Sequence, residues 1–338
     1  MRKDYKKRWN KCFIHDKVMP EYIYKCINFA MYFIDMWYYF LLLVMRLRTK
    51  QIKKKYYLSV CAIFKDESLS MREWIEYHHL IGVDHFYLYN NNSTDRSVEI
   101  LQPYIERGLV TLINWKMPPP CQAEAYNHCK EHFYDESNWI AFIDLDEYIC
   151  PRRMMNMKEW LEPYESYPSL VIYWKMFGSA GQVEHDPNRL ITEQYYIAWD
   201  RFDDIGKPII NTRFPSKKTT LKYIHDLPST CKLFSINFTL PPVNEFKHFV
   251  AFKSNRTNLF TIPSDFSIQI NHYVTKSYMD YFVKRRNRGD VNNFKGPETS
   301  WPFIYAQNFA QVADYSIYSF LPFLKVRMSE GKFKNYFD

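Results

Sequence analysis

Four short apolar runs, separated by helical stretches, occupy residues 56–147, and this alternation restricts the fold more than any other feature of the chain. Tyr57-Leu58-Ser59-Val60-Cys61-Ala62-Ile63-Phe64 is too continuously apolar for a half-exposed strand and too short for a helix of its own, so it reads as a buried strand. Lys65-Asp66-Glu67 ends it, and Ser70 is placed to cap a helix with Glu73 three residues on. That helix carries Trp74, Ile75, Leu80 and Ile81 and stops at Gly82. A second strand over 85–89 runs into the polar loop Asn90-Asn91-Asn92-Ser93-Thr94-Asp95. A helix over 97–106 stops at Gly108, residues 109–115 are strand-like, and a helix over 123–133 follows the break at Pro118-Pro119-Pro120. The fourth run, Trp139–Ile143, leads directly into Asp144-Leu145-Asp146-Glu147.

Repeated strand–helix units predict an α/β fold: a mostly parallel sheet with helices on both faces. Ligands of such sheets bind outside the carboxyl ends of the strands, where the polar loops of this chain fall. Beyond Pro151 the pattern loosens, with strands near 170–177, 207–214 and 266–275 and a helix from Ser277 to Arg288.

Charge separates the beginning of the chain from the rest. Residues 1–55 hold 14 Lys and Arg against four acids, a net +10, whereas the other 283 hold 31 against 33. A chain built to track nucleic acid spreads basic residues through its body, so this distribution argues for an arm that meets an anionic membrane surface. Nine of the nineteen residues from Tyr22 to Phe40 are aromatic, followed by Leu41-Leu42-Leu43-Val44-Met45. If 20–46 is helical, Glu21, Lys25, Asn28, Tyr32, Asp35, Tyr39 and Arg46 form one narrow polar stripe on an apolar helix. An in-plane interfacial helix is expected, with a helix packed on the body or on a second subunit, and a true span, as the alternatives. Asp35 in mid-helix weighs against a span, and no small-residue cleavage site marks a removed signal peptide. The chain is accordingly expected to be cytoplasmic and peripheral to the membrane, or single-pass if the helix crosses. Seven cysteines, an odd number without a C-x-x-C pair, disfavour a disulfide scaffold or a zinc knuckle and favour a reducing compartment. An aromatic content of 19% excludes a disordered or collagen-like chain.

The strongest chemical signal is Asp144-x-Asp146. A buried strand delivers two carboxylates to the rim of the sheet, where Mg²⁺ or Mn²⁺ takes carboxylate oxygens together with phosphate. Alone the pattern is weak, since two acids in a turn also cap a helix.

Its surroundings are more specific. Residues 59–67, Glu73-Trp74-Ile75-Glu76-Tyr77-His78, residues 82–95, Gln122–Cys129 and Trp139–Glu147 closely resemble glycosyltransferase family 92 in order and spacing. Phe177-Gly178-Ser179-Ala180-Gly181 and residues 270–277 resemble its downstream motifs, so the likeness covers about 57–290, weakly at 185–265. The resemblance implies a Rossmann-like GT-A fold over 56–290, after the arm of 1–55 and before a helical extension of 291–338. It further implies metal-dependent, inverting transfer from a nucleoside-diphosphate sugar, usually a UDP-sugar. By the same resemblance Phe64, Lys65, Asp66, Asn90, Asn92 and Asp95 contact base and ribose, and Asp144 lies near the ribose. Related family-2 enzymes usually have Asp where this chain has Asn90. Asp146, with Asp144 and His272, is expected on the Mn²⁺ or Mg²⁺.

Other positions keep two readings. His272 is a ligand or a hydrogen-bonded structural residue. Lys276 and Arg288 reach the diphosphate or lie on an exposed basic helix face. Gln122 and Asn127 face the donor sugar, or Asn127 is a structural cap. Trp174 and Phe177 stack on an acceptor sugar or pack the core. His78, His79 and His85 read as structural. Inverting transfer needs a general base for the acceptor hydroxyl, and Glu184 and Asp186, after the Gly181 loop, are the candidates. A glycan or lipid-linked acceptor is expected from the arm. A metal-dependent hydrolase and a non-catalytic sugar-nucleotide binder are the competing functions; the first wants a second carboxylate cluster near Asp144, and the intact D-x-D speaks against the second.

Overall fold

The structure, a computed structural model, describes residues 13–14, 21–49, 53–203, 205–220, 224–225, 227–250, 265–285 and 310–329. Helix α1 (Glu21–Arg48) precedes the alternating region β1 (Tyr56–Phe64), α2 (Ser68–Leu80), β2 (His85–Asn90), α3 (Ser97–Glu106), β3 (Val110–Asn114), α4 (Gln122–Phe133) and β4 (Ser137–Phe142). Then come β5 (Glu147–Pro151), α5 (Met157–Leu161), β6 (Ser169–Met176), β7 (Gly206–Asn211), the hairpin β8 (Ser229–Leu233) and β9 (Ile236–Leu240), β10 (Ile268–His272) and α6 (Leu321–Met328).

One eight-stranded sheet runs in the order β3-β2-β1-β4-β7-β6-β10-β5. Its first four strands are parallel, as the alternation predicts. Its other half is mixed: β7 is antiparallel to both β4 and β6, β6 and β10 are parallel, and β10 is antiparallel to β5. Along β1, Leu58, Val60, Ala62 and Phe64 enter the larger core with Met71, Trp74 and Ile75 of α2 and Leu101 of α3. Cys61 and Ile63 face the other way, onto Ala125, Tyr126 and Cys129 of α4. The two-residue period of a strand thus explains helices on both faces. At Gly206 the backbone of β7 passes so close to β6 that an added Cβ would lie 1.9 Å from the Ile172 carbonyl oxygen.

Two local expectations change. α2 starts at Ser68, not after a Ser70 cap, because Asp95 supplies the cap from across the loop, accepting from the Ser68 amide at 2.8 Å. Glu73 is no capping-box residue either. Its buried carboxylate accepts from the amides of Ile191 and Thr192 at 2.7 and 3.0 Å and from the Thr192 hydroxyl at 2.7 Å.

α1 lies on the body. Tyr38, Leu41, Leu42 and Met45 are buried in the main core, Trp37 meets Phe238 of β9 edge to face, and Tyr38 stacks on Phe249. No described helix is long and apolar enough to cross a membrane. At the other end, Ala310–Ala313 pairs with the short strand Ile197–Trp199, and α6 rests on α2, with Leu324 buried and Arg72 donating to the Met328 carbonyl.

Candidate active site

Because β1, β2 and β4 are parallel, the segments that follow them, 65–67, 91–95 and 143–146, all emerge at one edge of the sheet. The register sets Phe64 beside Asn90 and Cys61 beside Phe142. Lys276 reaches the same edge from after β10, its ammonium 3.3 Å from Glu67.

The first two loops are bound to each other. Asp66, with a left-handed φ of 53°, accepts from the amides of Thr94 and Asp95 at 2.6 and 3.2 Å and donates its own amide to Ser93 Oγ. Asn90 Oδ1 accepts from the Ser93 amide at 2.9 Å, and Asn92 is exposed with φ 56°. Burial would raise the Asp95 carboxyl, but hydrogen bonds from Ser97 and Ser68 outweigh it and hold the group below the usual aspartate range. Phe64 is buried beneath this loop pair, and Lys65 is half-buried at its edge.

The acids after β4 divide the work. Asp144 accepts from Gln122 Nε2 at 2.7 Å through one oxygen and from Lys207 Nζ at 2.7 Å through the other. Trp74 Nε1 donates to the carbonyls of Asp144 and Glu147, at 3.1 and 2.8 Å, and fixes the turn. Asp146 lies 3.5 Å from His272 Nε2, and Glu147 lies 3.9 Å from the same nitrogen. Strand pairing produces this convergence: Glu147 opens β5, His272 closes β10, and the two are opposite partners in the ladder. Ligand atoms of Asp146, Glu147 and His272 all fall within 4.8 Å of one another. Glu147 Oε1, on the side that faces His272 Nε2, is buried without a hydrogen-bond partner, as a polar group is when a ligand outside the chain satisfies it. Two carboxylates and an imidazole make a donor set suited to Mn²⁺ and acceptable to Mg²⁺.

Neither Glu147 nor Lys207 stands out in the sequence as a site residue. Lys207 comes from β7, where Ile209 pairs with Ala141 and so carries Lys207 towards Asp144. Burial alone would discharge this lysine, but Asp144 and Glu147 outweigh it and hold its pKa above the ordinary value. Glu147 adjoins D-x-D, and the only signal for it was that adjacency; burial drives its carboxyl well above the usual range, against the pull of Lys207. Trp174 packs on His272 and His225, with ring centroids 4.6 and 5.1 Å away. Burial, with Lys207 nearby, lowers His225 to about 3, so it is neutral.

The remaining candidates are placed as follows. Asn127 exchanges hydrogen bonds with the Thr219 backbone, at 2.9 Å as donor and 2.7 Å as acceptor, which is the cap-like alternative. Phe177 is buried against Tyr273 in the core, whereas Trp174 stays beside the site. Asp186 accepts from the Asn188 amide at 2.9 Å, and Glu184 is exposed. His78 bridges Trp74 and Ile149, and His85 meets Gly108 and Thr111, all structural contacts. Arg288 lies outside the described residues.

The fold is thus an α/β sheet with acids and an imidazole gathered at its carboxyl edge, the edge where sheets of this kind bind their ligands. The particular family is given by sequence: residues 54–288 match the model of glycosyltransferase family 92, and the chain belongs to that family. A glycosyltransferase family 92 protein of rice (Oryza sativa subsp. japonica) is 26% identical over 279 residues, covering 80% of this chain and 44% of its own length. One from Arabidopsis thaliana is 29% identical over 143 residues, 41% of this chain and 24% of that protein. The chain thus spans less than half the length of these relatives. Among solved structures, S. aureus TarS 1-349 aligns at 13% identity and a TM-score of 0.33, over 46% of this chain and 47% of TarS. Glucosyl-3-phosphoglycerate synthase from Mycobacterium tuberculosis, in complex with Mn²⁺, UDP and glucosyl-3-phosphoglycerate, aligns at 12% and 0.30, over 54% of this chain and 64% of that one.

Proposed function

We propose that this chain is a metal-dependent, inverting glycosyltransferase that moves a sugar from a nucleoside-diphosphate donor, with UDP-sugar the first choice, to a hydroxyl of a glycan or lipid-linked acceptor. One observation carries the reading: in a family 92 chain, Asp146, Glu147 and His272 converge at the carboxyl edge of the sheet with the buried Glu147 Oε1 unsatisfied. Asp146, Glu147 and His272 would hold Mn²⁺ or Mg²⁺, which when bound supplies positive charge to the diphosphate of the leaving group. Asp144, oriented by Gln122 and Lys207, is set for the ribose, and the paired loops 65–67 and 90–95 for the base. Lys276 adds a cation beside this edge. Glu184 and Asp186 are the proposed acceptors of the hydroxyl proton. Residues 1–55 form the arm that brings the enzyme to an anionic membrane surface, where a lipid-linked acceptor would be found.

Calorimetric titration of UDP tests the nucleotide site. With Mn²⁺ the wild type should bind, and EDTA or Asp146→Ala should reduce affinity at least about tenfold, the loss of one charge-assisted ligand. A well-folded wild type that binds no UDP, GDP, CDP or TDP with either metal would refute the proposal.

A further inference from the structure

α1 buries Tyr38, Leu41, Leu42 and Met45 against the body, carries Tyr39 and Arg46 along its flank, and turns a second apolar stripe outward. Tyr39 donates to the Lys247 carbonyl at 3.0 Å, and Arg46 donates to the Ser166 carbonyl and hydroxyl, both at 2.8 Å. Facing away from the body are Phe29, Phe33, Met36, Phe40, Leu43 and Leu47, all exposed, with Phe29 at 72% and Leu47 at 79%. Steps of four, three, four, three and four residues confine them to an arc of about 80° on the helix. A helix placed this way gains nothing from water on its outer side.

A second apolar feature borders the first. The hairpin β8–β9 carries Phe234 and Ile236 at its turn, 87% and 60% exposed. Its strands are fastened to α1 through the Trp37–Phe238 ring contact, Cys231 Sγ on the Leu41 carbonyl, and Arg48 on the Lys232 carbonyl. Where helix and hairpin meet lies a cavity of about 360 Å³ whose lining includes Arg48, Lys54, Arg213 and Lys232 against one acid, Asp135. Lys54 is paired with Asp135 and Arg213 with Glu165, whereas Arg48 and Lys232 have no acidic partner among the described residues.

We propose that the outer stripe of α1 and the β8–β9 turn form one composite surface that inserts into an anionic lipid bilayer, with Arg48 and Lys232 meeting headgroup phosphates at their junction. Aromatic side chains suit the boundary between headgroups and acyl chains, and the neighbouring cations match its charge. A second copy of the chain is a poorer occupant. Two copies would present Arg48 and Lys232 to an outer stripe of Phe29, Phe33, Met36, Phe40, Leu43 and Leu47, which carries no acid to oppose them. The inference rests on the membrane reading of the arm and not on the transfer chemistry, so the UDP titration can fail without affecting it.

Sedimentation of the full chain with vesicles tests it, comparing phosphatidylcholine alone with phosphatidylcholine plus phosphatidylglycerol. The wild type should pellet with the anionic vesicles and be released by salt. Phe33→Asp/Phe40→Asp and, separately, Phe234→Asp/Ile236→Asp should each lower partitioning at least about tenfold while keeping the wild-type melting temperature, because these side chains are exposed. Arg48→Glu/Lys232→Glu should abolish the preference for the anionic vesicles. Wild type that does not bind vesicles, or a hairpin variant that binds like wild type, would overturn the composite surface. So would a dimer in sedimentation velocity that Phe33→Asp/Phe40→Asp dissolves.

Discussion

Lys207 is 1% exposed, with its ammonium 2.7 Å from Asp144 and 3.7 Å from Glu147. Removing it takes the counter-charge from the buried Glu147 and the partly exposed Asp144; breaking a fully buried pair commonly costs about 3–5 kcal/mol. Lys207→Met should therefore lower stability by roughly 3 kcal/mol in urea unfolding, and adding Glu147→Gln should restore a large part of that loss. Additive losses in the double variant would show that Lys207 does not neutralise Glu147. Asp144 and Asp146 were legible in the sequence because an apolar strand runs directly into them. Lys207 was not, because its contact depends on the antiparallel pairing of strands more than sixty residues apart, as its ion pair with Asp144 across 63 positions shows. The Asn127 amide shows the same limit: its partner Thr219 is 92 residues away.

At the scale of elements, α1 has two faces whose worth can be separated. Leu42 is fully buried among body residues, whereas its neighbour Leu43 is 52% exposed. Leu42→Ala should cost about 2–4 kcal/mol in chemical denaturation and Leu43→Ala less than about 0.5 kcal/mol. Equal, small losses would mean that α1 does not share the core of the body. The existence of this helix was readable from its composition, and so were the four parallel strands, whose continuous apolar runs need no partner to be recognised. Element starts were less readable. α2 begins at Ser68 because Asp95 caps it from the next loop, while Glu73, spaced for a local capping box, bonds to residues 191–192. Local spacing identifies residues able to cap; the neighbouring chain decides which of them does.

Over the whole molecule, acid stability reports how completely the core encloses its histidines. Burial lowers His78 and His225 to about 3 and His85 to about 4, all below the ordinary 6.5. The unfolded chain therefore takes up these protons first, so their stabilising effect is complete above pH about 6.5 and declines as pH falls towards the folded values. Each enclosed histidine contributes a slope approaching ~1.4 kcal/mol per pH unit, and His78→Gln should remove about one proton's worth between pH about 6 and 5, measured by urea unfolding. An unchanged slope would mean that His78 is not held neutral. By itself the sequence determined the α/β class, the carboxyl edge as the place for chemistry and the apolar helix with its polar stripe, because periodicity and strand ends are local properties. Tertiary structure decided that Glu147 and His272 face each other, that Lys207 lies against the acids, and which side of α1 turns outward. Those outcomes depend on strand pairing and packing between distant segments, whose partners compete only once the chain has closed on itself.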